Sequence, residues 1–215
     1  MIRGLLVVLT LGIGISACSG TYYNAMEKAG YHKRDILVSR VEKARDSQEE
    51  AQEQFANALA QFGSVVKIDD SNLKPAYEKL NAEYEDSEEA AEDVSDRIDN
   101  VESVSKALFK EWQEELELFQ NKSLRATSEK KFKDTQKRYS QMIATMHKAE
   151  SSMEPVLKTF RDNVLFLKHN LNAQAIGALR GEFNTLKADI DKLIGKMNTS
   201  IESSNKFIAE MGKDS

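Results

Sequence analysis

The sequence predicts an all-α protein: an antiparallel bundle of four long, heptad-patterned, coiled-coil-like helices in up-down-up-down order. Along four segments, apolar residues recur at alternating spacings of four and three, which keeps one seam of each helix facing its neighbours. Short polar turns separate the segments and make consecutive helices run in opposite directions. The composition agrees, with 30% charged residues, 7% aromatic residues and two prolines.

Residues 1–17 are predicted to be a signal peptide. Arg3 precedes an apolar run from residue 4 to residue 15, which is shorter than the ~20 residues of a membrane-spanning helix. Removing this leader removes its only charged residue, so the formal net charge changes from −5 to −6. A mildly acidic chain has no overall attraction to nucleic acid, which we therefore do not expect as a partner.

The leader ends in Ile15-Ser16-Ala17-Cys18, which resembles the lipobox of bacterial lipoproteins. The resemblance implies that the leader is cleaved before Cys18, and that its sulfur and its new amine are acylated. It also implies outer-membrane location on the periplasmic side, because Ser19 is not the aspartate that favours inner-membrane retention. Cys18 is the chain's single cysteine, and lipidation would account for it. The alternative is an ordinary secretory leader followed by an unmodified cysteine.

Residues 18–34 are predicted to be a tether, with a possible short helix that Gly30 ends. Tyr22, Tyr23 and Tyr31 have two interpretations: they belong to a plain linker, which we favour, or they dock on the body or at the lipid interface. The helical domain is predicted to occupy residues 35–211.

The first two helices are predicted over about residues 35–66 and 73–120. Asn72 is the expected cap of the second, with Pro75 in its first turn. Its middle, at Ser87 to Ala91, is thin in apolar bulk. The core positions of the two helices are predicted as Leu37, Val41, Ala44, Gln48, Ala51, Phe55, Ala58 and Phe62, then Leu73, Tyr77, Leu80, Tyr84, Ser87, Ala91, Val94, Ile98, Val101, Ser105, Leu108 and Trp112.

The third helix is predicted over about residues 128–170, with a kink or brief break near Pro155. The fourth is predicted over about 173–211. Both carry a third apolar column, which favours a bundle over a two-stranded rod. Their core positions are predicted as Phe132, Gln136, Tyr139, Ile143, Met146, Glu150, Met153, Leu157, Phe160, Val164, Leu167 and Leu171, then Ile176, Leu179, Phe183, Leu186, Ile190, Leu193 and Met197, continuing through Ile201 and Ile208 to Met211.

Residues 83–102 contain ten acidic side chains and a single basic one, Arg97. This stretch is either a solvated helix face, which we favour, or a docking face for a basic partner or divalent cations. It lacks the glycine turn and alternating ligands of a calcium loop. The residues of the possible partner face are Glu83, Glu85, Asp86, Glu88, Glu89, Glu92, Asp93 and Asp96.

Residues that could carry chemistry are few. His32, His147 and His169 lie in no zinc-binding motif, and no nucleophile elbow or phosphate-binding glycine loop is present in the sequence. We therefore expect no catalytic residues, no metal and no cofactor. Gly177 and Gly181 form a G-x-x-x-G pattern, for which tight packing against a neighbouring helix is the favoured interpretation.

The leader, together with the segments Gly30 to Val38 and Arg40 to Gln48, resembles the start of a domain-of-unknown-function family of proteobacterial lipoproteins. The resemblance implies an envelope location and a helical fold over essentially the whole mature chain, and it transfers no functional residue.

Two function classes follow. The chain is expected to be a structural or adaptor lipoprotein, held on the membrane by Cys18 and contacting another envelope protein. The alternative is a periplasmic carrier whose bundle holds an apolar ligand near Ser87 to Ala91.

Overall fold

The computed structural model describes residues 23, 26, 30, 32–68 and 73–213 of the 215-residue chain. The described part is all-helical and contains no β-strand, which confirms the predicted all-α class. The leader, Cys18 and the predicted Asn72 cap lie outside the described residues. None of the described helices has the length and apolar character needed to cross a bilayer.

Five helices make up the described domain, and four of them exceed 25 residues in length. Their bounds are α1 Lys33–Val65, α2 Lys74–Leu116, α3 Lys122–Glu150, α4 Met153–His169 and α5 Ala173–Lys213. Helix α1 packs against α2 and α5, while α3 and α4 both pack against α2 and α5. The third predicted helix is therefore two helices that share the same neighbours.

The break between α3 and α4 falls at Ser151 and Ser152. Pro155 lies in the first turn of α4, where its missing N–H leaves no helical hydrogen bond unmade. Ser152 does not cap α4; its hydroxyl instead donates to the Lys148 carbonyl at the end of α3, at 2.5 Å. That hydroxyl also accepts from Lys196 Nζ on α5 at 2.7 Å, so the break is tied to a neighbouring helix.

Helix α3 begins earlier, and α2 ends earlier, than the polarity of the sequence suggests. The stretch between the second and third predicted helices, residues 121–127, is mostly helix, because the Asn121 side chain accepts from the backbone N–H groups of Ser123 at 2.9 Å and Leu124 at 3.2 Å. These bonds satisfy two of the free donors at a helix start. The connection from α2 to α3 is consequently limited to residues 117–121.

The core is continuous along the bundle, although polar residues occupy some of its positions. Every predicted core position of α1 is buried. On α5 the buried positions after Met197 are Ser200, Ser204, Phe207 and Met211, while the predicted Ile201 and Ile208 are half-buried. On α3, Thr135 is buried and its predicted neighbour Gln136 is half-buried. The predicted core position Leu171 is wrong, because this residue lies beyond the end of α4 and is exposed.

Tyr23 is the one tyrosine of the predicted tether that the structure describes. Its side chain is buried, and its hydroxyl donates to Ser103 Oγ on α2 at 3.2 Å. Docking, the less favoured interpretation, therefore holds for this residue. Gly30, with φ of 89°, lies between Tyr23 and α1 in a conformation that glycine adopts without strain.

Candidate functional site

A groove lies between α2 and the junction of α3 with α4. Its volume is about 650 Å³, and Tyr84, Glu88 and Ala91 of α2 form one wall. Met153 and Leu157 of α4 contribute apolar surface opposite them. We call it the waist groove. It lies at the level of Ser87 to Ala91, where the sequence contains few large apolar residues.

Charged side chains surround the apolar floor of the waist groove. Lys158 pairs with Glu154 at 2.6 Å, and Arg161 lies beside them. The Tyr84 hydroxyl donates to Glu88, and burial together with this hydrogen bond raises the pKa of Tyr84 to about 12. An occupant of this groove would meet carboxylates, cations and a small apolar strip at once. The lining thus suits an amphipathic molecule better than a purely apolar one.

A polar cluster adjoins the waist groove and links α2 to the end of α3. Ser95 Oγ donates to one oxygen of Glu150 at 2.6 Å, and the other oxygen contacts His147 Nδ1 at 2.8 Å. His147 Nε2 contacts Glu102 at 3.2 Å. The hydrogen bond to Glu150 is the main reason that the pKa of His147 is raised, and Glu102 adds to the effect although partial burial opposes it.

The order of groups in this cluster differs from that of a catalytic triad. In a triad the imidazole accepts the proton of the serine hydroxyl, and a carboxylate orients the imidazole. Here the Ser95 hydroxyl donates to the Glu150 carboxylate, and His147 lies on the far side of that carboxylate. The cluster therefore joins two helices but does not activate Ser95 through the imidazole.

A second groove, of about 470 Å³, lies between α1 and α2. Ser47, Glu50 and Gln54 of α1 line it, together with the α2 residues Asp86, Glu89, Ala90, Asp93 and Arg97. Arg97 pairs with Asp93 at 2.9 Å, which neutralises one of these carboxylates.

The structure divides the predicted acidic partner face between these two grooves. Asp86, Glu89 and Asp93 line the α1–α2 groove, whereas Glu88 and Glu92 line the waist groove. Glu83 accepts from the Gln54 side chain at 3.0 Å. The remaining two, Glu85 and Asp96, are exposed and line neither groove. The predicted acids thus border two grooves on either side of α2, and the described residues contain no group of three or more His, Cys, Asp or Glu side chains placed to hold a metal ion.

The same level of the bundle contains polar side chains inside the core. Gln48 and Ser200 are fully buried, and the Gln48 amide and the Ser200 hydroxyl make no hydrogen bond within the part of the chain that the structure describes. Two pairs joining α1 to α5 bracket them in sequence: Arg45 with Asn205, and Gln52 with Asn198, each at 3.0 Å. Gln48 is one of the predicted core positions of α1, where apolar residues precede and follow it. Ser200 is not among the predicted core positions of α5.

The predicted tight packing of the G-x-x-x-G pattern on α5 is wrong. Gly177 and Gly181 are exposed, and a methyl group at either position would meet no atom within 4 Å. Gly63 of α1 is the glycine against which α5 packs, because a methyl group there would lie 3.2 Å from the Phe183 ring. Four-residue glycine spacing gave no information on which side of the helix faces a neighbour.

Comparison with known proteins places the chain in a family. The sequence model of the family described as "Protein of unknown function (DUF2959)" matches residues 22–211. The chain belongs to this family. The match covers α1 to α4 and nearly all of α5, so the resemblance to a family without an assigned function is confirmed. No curated protein and no solved structure matches the chain.

Proposed function

We propose that this member of the DUF2959 family is a membrane-anchored bacterial lipoprotein, acting as a structural or adaptor protein in the cell envelope and not as an enzyme. The lipobox-like ending at Cys18 supports the anchor. One observation carries the proposal: a continuous set of large apolar side chains, such as Phe55, Phe160 and Leu186, is fully buried inside the domain itself. A domain with its apolar faces filled needs no bilayer to fold, so attachment falls to acyl chains on Cys18.

We further propose that the helices form an antiparallel up-down-up-down bundle with the predicted heptad seams. Contacts between the ends of distant segments support this arrangement. The start of α1 meets the end of α2 through Lys33 and Glu111 at 2.9 Å, and Gln54 further along α1 meets Glu83 further back on α2 at 3.0 Å. The pairs that join α1 to α5 also run in opposite sequence directions.

The location that fits this proposal best is the periplasmic side of the outer membrane, with a second envelope protein as the partner. Replacing Cys18 with Ala tests the anchor. The variant is expected to leave the detergent phase and to appear in the soluble periplasmic fraction. Ser19→Ala is the matched control and should remain membrane-bound. Unchanged membrane association of Cys18→Ala would contradict the anchor.

A second candidate function is that of a carrier or binding module, and the waist groove favours it. The groove lies at the predicted level, but its carboxylates and cations suit an amphipathic ligand better than a purely apolar one. Native mass spectrometry of the purified protein tests this role. A co-purifying lipid that is lost in Ala91→Trp, which narrows the groove, but retained in Ala188→Trp, an exposed position on α5, would support the carrier.

A further inference from the structure

We propose that the end of the bundle at the α2–α3 connection docks on an anionic phospholipid surface, as a second membrane contact beside the anchor. The inference rests on the proposed lipoprotein function and adds to it the orientation of the protein on the membrane. Three observations carry it: exposed apolar side chains at this end, lysines without ion-pair partners beside them, and the position of the start of α1.

The apolar side chains form what we call the tip, which consists of Leu118, Phe119 and Leu124. Their side chains are 74%, 36% and 57% exposed, respectively. Leu118 and Phe119 lie in the connection, and Leu124 lies in the first turn of α3, so all three project from one end of the bundle. An aromatic layer lies beneath them. In it the Phe132 ring packs on Trp112 at 5.6 Å and on Phe109 at 6.0 Å between ring centroids. Exposed apolar residues above an aromatic layer match the side chains that enter the boundary between headgroups and acyl chains.

Four lysines of α3 form a stripe on the side of the helix opposite its core-facing residues. Positions 122, 130, 133 and 137 fall within about 80° of one another around a helix of 3.6 residues per turn. Buried Phe132 and Met142 lie on the other side. All four lysines are exposed, and Lys122, Lys130 and Lys137 have no ion-pair partner among the described residues.

The acidic residues near the tip are largely neutralised within the protein. Glu111 pairs with Lys33, Glu117 with Arg125, Glu114 with Lys110 and Glu129 with Lys133, at 2.6 to 3.9 Å. Asp134 is the carboxylate on this part of α3 for which the described residues offer no ion pair. Three of the four stripe lysines, Lys122, Lys130 and Lys137, therefore keep their positive charge for an external anion, and lysines near an anionic leaflet each strengthen binding.

The start of α1 lies at this same end of the bundle. Lys33 pairs with Glu111 near the end of α2, and Arg34 donates to the Met211 carbonyl near the end of α5, at 2.6 Å. The chain therefore enters its first long helix at the end that carries the tip.

The other end of the bundle is less suited to an anionic surface. It also exposes Leu165, Phe166 and Leu171, and the acidic stretch of α2, residues 83–102, lies between that end and the lysine stripe. Tyr84, at the start of that stretch, packs on Phe160 of α4 with ring centroids 5.8 Å apart. An anionic membrane would attract the lysine stripe and repel the acidic stretch, which lies closer to the other end, so charge distinguishes the two ends while exposed apolar side chains do not.

The test uses the full-length, lipidated protein reconstituted into vesicles. Trp112 is the only tryptophan, so Trp112→Phe gives a background in which Leu118→Trp reports on the tip and Leu171→Trp, a matched exposed leucine, reports on the other end. In vesicles of phosphatidylethanolamine and phosphatidylglycerol, the residue 118 reporter should shift to shorter emission wavelength and be quenched by brominated lipid. The residue 171 reporter should do neither.

The lysine stripe is tested in the Leu118→Trp protein. Lys130→Glu together with Lys137→Glu should lower quenching at the tip by about tenfold in phosphatidylglycerol vesicles. Lys79→Glu together with Lys168→Glu, two exposed lysines at the other end, is the matched control and should leave quenching unchanged. All substituted lysines are exposed, and equal helical circular dichroism and melting temperatures will show that every variant folds.

The outcomes separate the anchor from the docking surface. A protein that floats with vesicles while its residue 118 reporter stays in water would overturn the docking surface alone. Equal quenching at residues 118 and 171, or equal effects of the two lysine pairs, would also overturn it. A protein that neither floats nor carries acyl groups on Cys18 would overturn the anchor and the docking surface together.

Discussion

The aromatic layers of the bundle and its waist are built from different side chains. Toward the tip, Tyr139 packs on Phe109 and Phe207, at 5.4 and 6.4 Å between ring centroids. Toward the other end, Phe62 packs on Phe160 and Phe183, at 6.4 and 5.8 Å. Between them the core contains small and polar residues, namely Ala44, Ser47, Gln48, Ala51, Ser87, Ala149, Ser200 and Ser204.

The consequences of this difference meet at the waist. Because small residues fill less space, the waist groove lies at this level. The helix break at Ser151 and Ser152 lies there as well. Polar side chains inside the core lower stability when they lack partners, but they can also fix the alignment of helices. The aromatic layers should therefore carry most of the stability, and the waist should be the part of the domain where conformation can change.

The largest effect is expected from removing an aromatic ring. Phe160→Ala leaves a cavity in a fully buried layer and should lower the free energy of unfolding by about 3–5 kcal/mol. Ala149→Gly at the waist is the comparison, and it should cost about 1 kcal/mol through helix propensity. Urea unfolding followed by circular dichroism measures both. Equal losses would mean that the two regions contribute alike to stability.

A smaller effect of opposite sign is expected at the buried glutamine. Burying an amide without partners costs about 1–3 kcal/mol, so Gln48→Leu should raise the free energy of unfolding by about 1 kcal/mol. Gln52→Leu, which removes the hydrogen bond to Asn198, is the control and should not stabilise the protein. A destabilised Gln48→Leu variant would indicate that this amide is hydrogen-bonded in solution.

The smallest effect is expected from His147, whose pKa is raised chiefly by its hydrogen bond to Glu150 and then by Glu102. Because the folded-state pKa lies above the ordinary value of 6.5, its contribution is fully present below pH 6.5 and is lost as pH rises through the folded-state pKa. The groups are partly exposed, so the contribution should stay below ~1 kcal/mol. The difference in unfolding free energy between the wild type and His147→Gln should shrink with rising pH, and a constant difference would contradict the ion pairs.

The sequence predicted the core best where a regular row of mostly apolar residues ran along the helix. In α1 the predicted row is buried from Leu37 to Phe62, because one stripe of side chains sufficed to define the helix face. In α5 the row was misplaced after Met197, because Ser200 and Ser204 hold core positions while Ile201 and Ile208 lie at the margin. The pattern located the buried polar position Gln48 because apolar residues continue the row on both sides of it, but it passed over Ser200 and Ser204.

The candidate site was predictable only in part. The deficit of apolar bulk at Ser87 to Ala91 pointed to the level of the waist groove. The partition of the acidic residues between two grooves depends on how α2 is rotated between α1 and α3, which no local pattern encodes. The Ser95, Glu150 and His147 cluster joins residues far apart in sequence, and so it needed the fold to bring them together.

The central claim is that acyl chains on Cys18 hold a self-contained helical domain at the membrane. Intact mass spectrometry of the amino-terminal peptide from membrane-extracted protein tests it most directly. The account predicts a mature chain that begins at Cys18 and carries the added mass of a diacylglyceryl group and an amide-linked acyl chain. A peptide that retains residues 1–17, or that begins at an unmodified Cys18, would contradict it.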